Sequence, residues 1–180
     1  MSSPSLTLEV CLPLRLVATA LCLELQVLTD GVVTLKPPRP GDAQVLVEGR
    51  DDEFFRWLGP GAEIPSPVAC VWAGGELVGW VDYDVERDWL KPGEVNVGYY
   101  LFPVARGKGY ASHAVELLLL HLDSETEHTI ATLLIHPENV RSLRLARRLG
   151  FESKGQVEGD VFFVREVSHR PKPRSPRRTL

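Results

Sequence analysis

The sequence predicts an α/β fold, and three observations carry that reading. Residues 94–122 run from a strand through a basic glycine turn into a helix. Residues 129–151 repeat the order, with an aliphatic, β-branched strand followed by a capped helix. Residues 68–85 and 155–167 alternate as hairpins, which supply antiparallel partners to the strands between them.

Taken in order, residues 6–28 alternate Leu8, Val10, Leu12, Leu14 and Leu16, then Leu21, Leu23, Leu25 and Val27. This reads as two strand-like segments, the first placed at an edge by Pro13. Residues 28–37 alternate as the first strand of the domain proper. Pro40-Gly-Asp42 opens a helix with Asp42 as its N-cap, and a second short helix covers 52–58 before Gly59-Pro-Gly61 breaks it. The Gly74-Gly75 turn joins the two strands of the first hairpin. Val95, Val97 and Tyr99 alternate with Glu94, Asn96 and Gly98, so the central strand has two unlike faces. Pro103 ends it. Ala114, Val115, Leu118 and Leu119 then recur at helical spacing. Asn139 caps the last helix, whose apolar face is Leu143, Leu145 or Ala146, and Leu149, and Gly150 stops it.

Composition narrows the function. A 180-residue chain that is 44% hydrophobic and 24% charged is sized for one globular domain. No apolar run approaches the roughly 18 to 20 residues of a membrane span, and Arg15 and Glu24 interrupt the N-terminal apolar stretch, which argues against a signal peptide. Cys11, Cys22 and Cys70 lack metal-ligand spacing, and their odd number favours a reducing, cytoplasmic setting. The net charge of −4 conceals five basic residues and no acid in residues 169–180. The other 15 basic residues face 24 acidic ones, −9 in all. That tail, spaced by Pro171, Pro173 and Pro176, reads as extended and solvated, and a nucleic-acid role rests on it alone. The expected organisation is an extension over 1–27, a domain over 28–168 and the tail.

The turn between the central strand and its helix carries the chemistry. A glycine turn opening a helix aims unpaired N–H groups and the positive end of the dipole at one point, a ready phosphate site. Arg106 and Lys108 add charge. A P-loop needs glycine at 102 and Ser or Thr at 109, where Phe102 and Gly109 stand; a dinucleotide fingerprint needs glycine at 112, where Ser112 stands. Neither fits.

Arg106-Gly-Lys-Gly-Tyr-Ala111 resembles the Gln/Arg-x-x-Gly-x-Gly/Ala motif of the GNAT N-acetyltransferases. Asn139-x-x-Ser142-x-x-Leu145-x-x-Arg148-Leu-Gly150-Phe151 resembles that family's second motif, in the right order. Thr29-Asp30, Val97-Gly98-Tyr99 and Gly155 look most like the RimJ/RimL branch, whose members are implied to acetylate protein N-terminal amines. The resemblance implies the GNAT fold: a mixed, mostly antiparallel sheet split like a V between its two central strands, with helices on both faces. It implies acetyl-CoA as acyl donor, with no metal. The pyrophosphate would lie on Gly107, Lys108, Gly109, Tyr110, Ala111 and Ser112 beside Arg106, and the pantetheine along Tyr99, Tyr100 and Leu101, with Asn139 and Ser142 nearby. An N–H near Tyr100 or Leu101 would polarise the thioester carbonyl.

The acceptor would be a peptide N-terminus or a small cationic amine, attacking the thioester directly. Glu94 is the first candidate for its base and His136 the second; the branch usually has a carboxylate where Asn96 stands. Ser142 is the expected hydrogen-bond donor to the leaving sulfur, because Ala146 occupies the position of the usual tyrosine acid. Trp80, Asp82, Asp84 and Glu86 share a strand face that would favour a cationic acceptor or simply be solvated. Phe54, Phe55 and Trp57 would wall an acceptor pocket or pack on the core. The rival reading is a catalytically silent acyl-CoA-binding module that regulates or scaffolds a partner. A homodimer is compatible with either.

Overall fold

The computed structural model describes residues 26–167. The strand-like alternation expected in the N-terminal extension and the basic tail both lie outside them. The described residues form β1 (Leu28–Thr29), β2 (Thr34–Lys36), α1 (Asp42–Glu48), α2 (Asp52–Leu58), β3 (Ala69–Ala73), β4 (Glu76–Asp84), β5 (Glu94–Leu101), α3 (Tyr110–Glu125), β6 (Ile130–Ile135), α4 (Val140–Arg148), β7 (Glu152–Val157) and β8 (Asp160–Glu166).

All eight strands join one sheet in the order β1-β2-β3-β4-β5-β6-β8-β7. Every neighbouring pair is antiparallel except β5 and β6, which are parallel and separated in sequence by α3. The larger apolar cluster joins Val95, Val97 and Leu101 of β5 to Val115 and Leu118 of α3 and to Leu145 and Ala146 of α4. A smaller one, on the other face, joins Leu46 of α1, Phe54 of α2, Cys70, Tyr100 and Phe102. Helices therefore cover both faces.

Two local expectations change. The strand expected over 28–37 is a tight hairpin instead. Asp30 Oδ1 accepts the amides of Val32 and Val33 at 2.9 and 3.0 Å, and Gly31 supplies a φ of 86°, so the chain reverses between β1 and β2. Asp42 is also not the cap of α1. It is the first helical residue, after Gly41 at φ 97°, and its carboxylate turns back to accept the Arg39 amide at 2.8 Å. The cap of α2 is Asp51, whose Oδ1 accepts the Phe54 amide at 3.0 Å. Asn139 caps α4 as expected, accepting the Ser142 amide at 3.2 Å.

Candidate active site

The site begins where the sheet fails to close. β5 and β6 pair only at Glu94, Val95 and Asn96, opposite Ile130, Ala131 and Thr132. Beyond Asn96, β5 continues to pair with β4 up to Leu101, and β6 continues to pair with β8 up to Ile135. The two strands therefore splay, and a cleft of about 970 Å³ opens between them. It is walled by Asn96–Leu101 of β5, Leu133–His136, α2, α4 and the turn 107–112.

Phe102 N–H donates to Val78 O, so by antiparallel alternation the main-chain groups of Val97, Tyr99 and Leu101 face the split. Tyr100, expected with them, faces β4 with its backbone. Its side chain lies on the α2 side, the hydroxyl 2.9 Å from both Gly49 O and Asp51 Oδ1. Burial, and then Asp51, push that phenol up to about 12. Leu101 O is taken by Arg106 Nε at 3.0 Å, so Leu101 offers the cleft its N–H, beside the main-chain groups of Val97 and Tyr99.

The glycine turn does what its composition requires. Gly107 and Gly109 hold φ of 77° and 85°, and α3 begins at Tyr110 with no side-chain cap. Among the described residues, the amides of Gly107, Lys108, Gly109, Tyr110 and Ala111 donate to no protein acceptor, whereas Ser112 N–H returns to Gly109 O at 2.9 Å. Five amides at one helix start form an anion cradle. Ser112 Oγ receives Arg148 Nη1 at 3.3 Å, which brings a cation from α4 to the cradle. Outside it, His113 Nδ1–H donates to Asp30 at 2.7 Å, which fastens the β1–β2 turn to the first turn of α3.

Arg106, expected beside the pyrophosphate, lines the cleft with its guanidinium already engaged by the protein. Its guanidinium meets Asp51 through both terminal nitrogens, at 2.7 and 2.9 Å, and Glu53 at 2.9 Å. Hydrogen bonding to Arg106 is the main reason Asp51 sits well below the usual carboxylate range. The charge is thus neutralised within the protein.

On the opposite wall, Ser142 lies in the first turn of α4 and faces Tyr99. Burial raises the Tyr99 phenol, and the neighbouring Ser142 hydroxyl offsets part of that rise. Tyr99 and Asn96 both line the cleft, and Tyr99 Oη and Asn96 Oδ1 are each buried without a hydrogen bond of ordinary geometry. The Tyr99 hydroxyl was not singled out by the sequence; Tyr99 entered it only as a backbone contact. Ala146 is fully buried and packs in the same cluster as the Tyr99 ring.

Of the two base candidates, only His136 lines the cleft. Its Nδ1 accepts the Glu138 amide at 3.2 Å, so the neutral ring carries its proton on Nε2 and is a donor there. Its ring lies 5.3 Å from that of Trp57. Glu94 sits at the closed end of the β5–β6 pair and accepts the Lys91 amide at 3.0 Å. The structure does not bring it into the cleft. Asp82 is not simply a solvated strand acid. It is half-buried, accepts the amides of Val68 and Tyr83, and is raised chiefly by burial. Asp84 pairs with Arg87 at 2.6 Å. Trp80, Asp82 and Asp84 lie outside the cleft lining; Trp57 lies within it, Phe54 in the core, and Phe55 is exposed.

Residues 67–152 match a family model described as an acetyltransferase (GNAT) domain. A GNAT-family acetyltransferase from Bacillus anthracis superposes with a TM-score of 0.67 at 14% identity, covering 79% of this chain and 99% of its own. Aminoglycoside acetyltransferase AAC(6')-Ib, solved with coenzyme A, gives 0.65 at 21% identity over 74% and 94%. Mycobacterium smegmatis RimJ, solved with CoA-disulfide, gives 0.61 at 20% identity over 76% and 82%. None of the curated proteins matches the chain.

Proposed function

On this GNAT fold, we propose an acetyl-CoA-dependent N-acetyltransferase that moves an acetyl group to a primary amine, in a RimJ/RimL-like manner and in the cytoplasm. One observation carries the reading: five unpaired amides at the start of α3 stand beside a strand edge left open by the splay of β5 and β6. A pyrophosphate satisfies the first and an amide-bearing pantetheine the second. Arg148 and Lys108 supply the cationic surroundings, and Asn139 holds the α4 end that carries Ser142.

The thioester carbonyl then lies against the Leu101 N–H, which stabilises the developing oxyanion. The acceptor amine enters on the α2 side and attacks the carbonyl carbon. The C–S bond breaks, and Tyr99 Oη, with Ser142 beside it, donates to the departing sulfur. A phenol kept protonated by burial suits that task, and it takes the place of the tyrosine replaced by Ala146. Asn96 Oδ1 accepts an N–H from the attacking amine. Neither Glu94 nor His136 offers a free lone pair there, so water takes the amine's proton and the acceptor reacts as its free base. A peptide α-amine, which ordinarily titrates at about 7.7 to 8.0, supplies that form more readily than a lysine-like amine.

The test is CoA release from acetyl-CoA with N-terminal peptides, polyamines and aminoglycosides, the last because a structural neighbour is an aminoglycoside acetyltransferase. Turnover with one class establishes the enzyme. CoA binding without release across the panel favours the silent acyl-CoA module, a reading motivated by Asn96 at the usual carboxylate position. No CoA binding refutes both.

A further inference from the structure

We propose that Arg106 is a positioning residue that ties α2, the wall on the acceptor side, to the donor turn. The inference rests on the donor-turn reading above and goes beyond it.

The hydrogen bonds decide between this and a phosphate ligand. Nε donates to Leu101 O, Nη1 to Asp51 and Glu53, and Nη2 to Asp51. Four of the five guanidinium N–H groups are therefore used, and two carboxylates balance one cation. The guanidinium also lies 5.2 Å over the Tyr100 ring, and its side chain is only 19% exposed. Little charge or donor capacity remains for a phosphate.

What the network joins is informative. Asp51 caps α2, Tyr100 links Asp51 to Gly49 at the α1–α2 joint, and Leu101 ends β5. Glu53 continues to Arg141 of α4 at 3.0 Å, across the cleft mouth. Arg106 itself directly precedes Gly107, the first amide of the cradle. A ligand that fixes the cradle therefore fixes the root of Arg106, and through it the start of α2, which touches no phosphate. Donor binding orders the acceptor wall, and the coupling acts equally in reverse.

Hydrogen exchange of the 52–58 amides, with and without saturating CoA, tests this, alongside calorimetric CoA affinity at two salt concentrations. In the wild type, CoA slows α2 exchange by about fivefold or more, the usual range of coupling between sites. In Arg106→Gln, free α2 exchanges faster and the CoA-induced slowing is lost, while CoA affinity changes by less than about threefold, as expected of a group that touches no phosphate. Asp51→Asn keeps a cap for Phe54 and leaves the turn untouched, and it reproduces the lost slowing. With an acceptor in hand, Arg106→Gln raises the acceptor KM and leaves that of acetyl-CoA nearly unchanged.

Arg106→Gln that weakens CoA tenfold or more with a shallower salt dependence, and keeps the α2 response, makes Arg106 a phosphate ligand and overturns the proposal. Unchanged exchange in both variants overturns it as well. If CoA does not bind the wild type, the acetyl-CoA reading falls and the coupling with it. The tie between Arg106 and α2 then stands or falls on exchange of the free proteins.

Discussion

Tyr99→Phe should make the protein more stable and less active, the reverse of the usual result for a core tyrosine. Oη is buried without a hydrogen bond of ordinary geometry, so folding strips a hydroxyl of water and returns little. Such a group costs about 1–3 kcal/mol, and the phenyl ring that remains fills the same packing against the main core. The Ser142 contact, which offsets part of the rise in the phenol's pKa, recovers some of that cost, leaving a net gain of about 1 kcal/mol. For a domain of this size that raises Tm by roughly 2–4 °C. Removing a proton donor to the leaving sulfur should lower kcat by about 10²-fold, with the acetyl-CoA KM nearly unchanged. Urea unfolding at pH 7 gives the first quantity and CoA release under saturating substrates the second. Ser142→Ala is the control: it removes the neighbouring hydroxyl without relieving the buried one, so activity falls and stability does not rise. A Tyr99→Phe variant that loses 1 kcal/mol or more, about the worth of one hydrogen bond, would mean that Oη is satisfied in the folded state. Unaltered kcat would remove it from the chemistry.

Gly109→Ala should lower folding stability by about 1–2 kcal/mol, since a left-handed backbone costs an L-residue roughly that much and the nearest atom to the added Cβ is 4.0 Å away, which leaves strain as the only penalty; urea unfolding reads it. Asp82→Asn should hold or raise stability at pH 7, because the amide keeps an acceptor for Val68 and Tyr83 without a half-buried charge. Burial raises the folded Asp82, so its penalty is absent in acid and grows as pH rises; the advantage of Asn should vanish below about pH 4 in urea titrations across pH. Tyr100 ionises near 10 when unfolded and about 12 when folded, so the stability linked to it is complete below about pH 10 and falls as pH rises towards 12. Tyr100→Phe should flatten that alkaline decline in thermal melts.

The sequence revealed most where local chemistry decides the structure. The glycine turn, the Asn139 cap and the two-glycine hairpin at Gly74–Gly75 all follow from short-range rules, and all are present. The β1–β2 reversal was missed because Asp30-Gly31 interrupts an alternation that continues on both sides. Asp42 resembled a cap, but a carboxylate one residue inside the helix can turn back to Arg39 just as well. The partner of Arg106 was out of reach for another reason. Asp51 and Glu53 are more than 50 residues away in sequence, and no periodicity encodes a pair that only the packing of α2 against β5 brings together. Asp51 does carry a local signal, an acid before a helical run, but that signal indicates its cap and not its ion pair. Glu94 and Asn96 share a strand face, yet only Asn96 reaches the opening, because the point at which two strands diverge is a property of the whole sheet.

The three-residue seam between β5 and β6 means that the two leaves of the sheet share few hydrogen bonds and are held together mainly by the apolar cluster beneath α3 and α4. A donor lying along the open edge of β5 would serve as an interior strand supplied from solution, closing with borrowed amides what the chain leaves open. Without a donor, the β5 edge beyond Asn96 should open locally and exchange its amides before the core beneath it, which both leaves share, gives way.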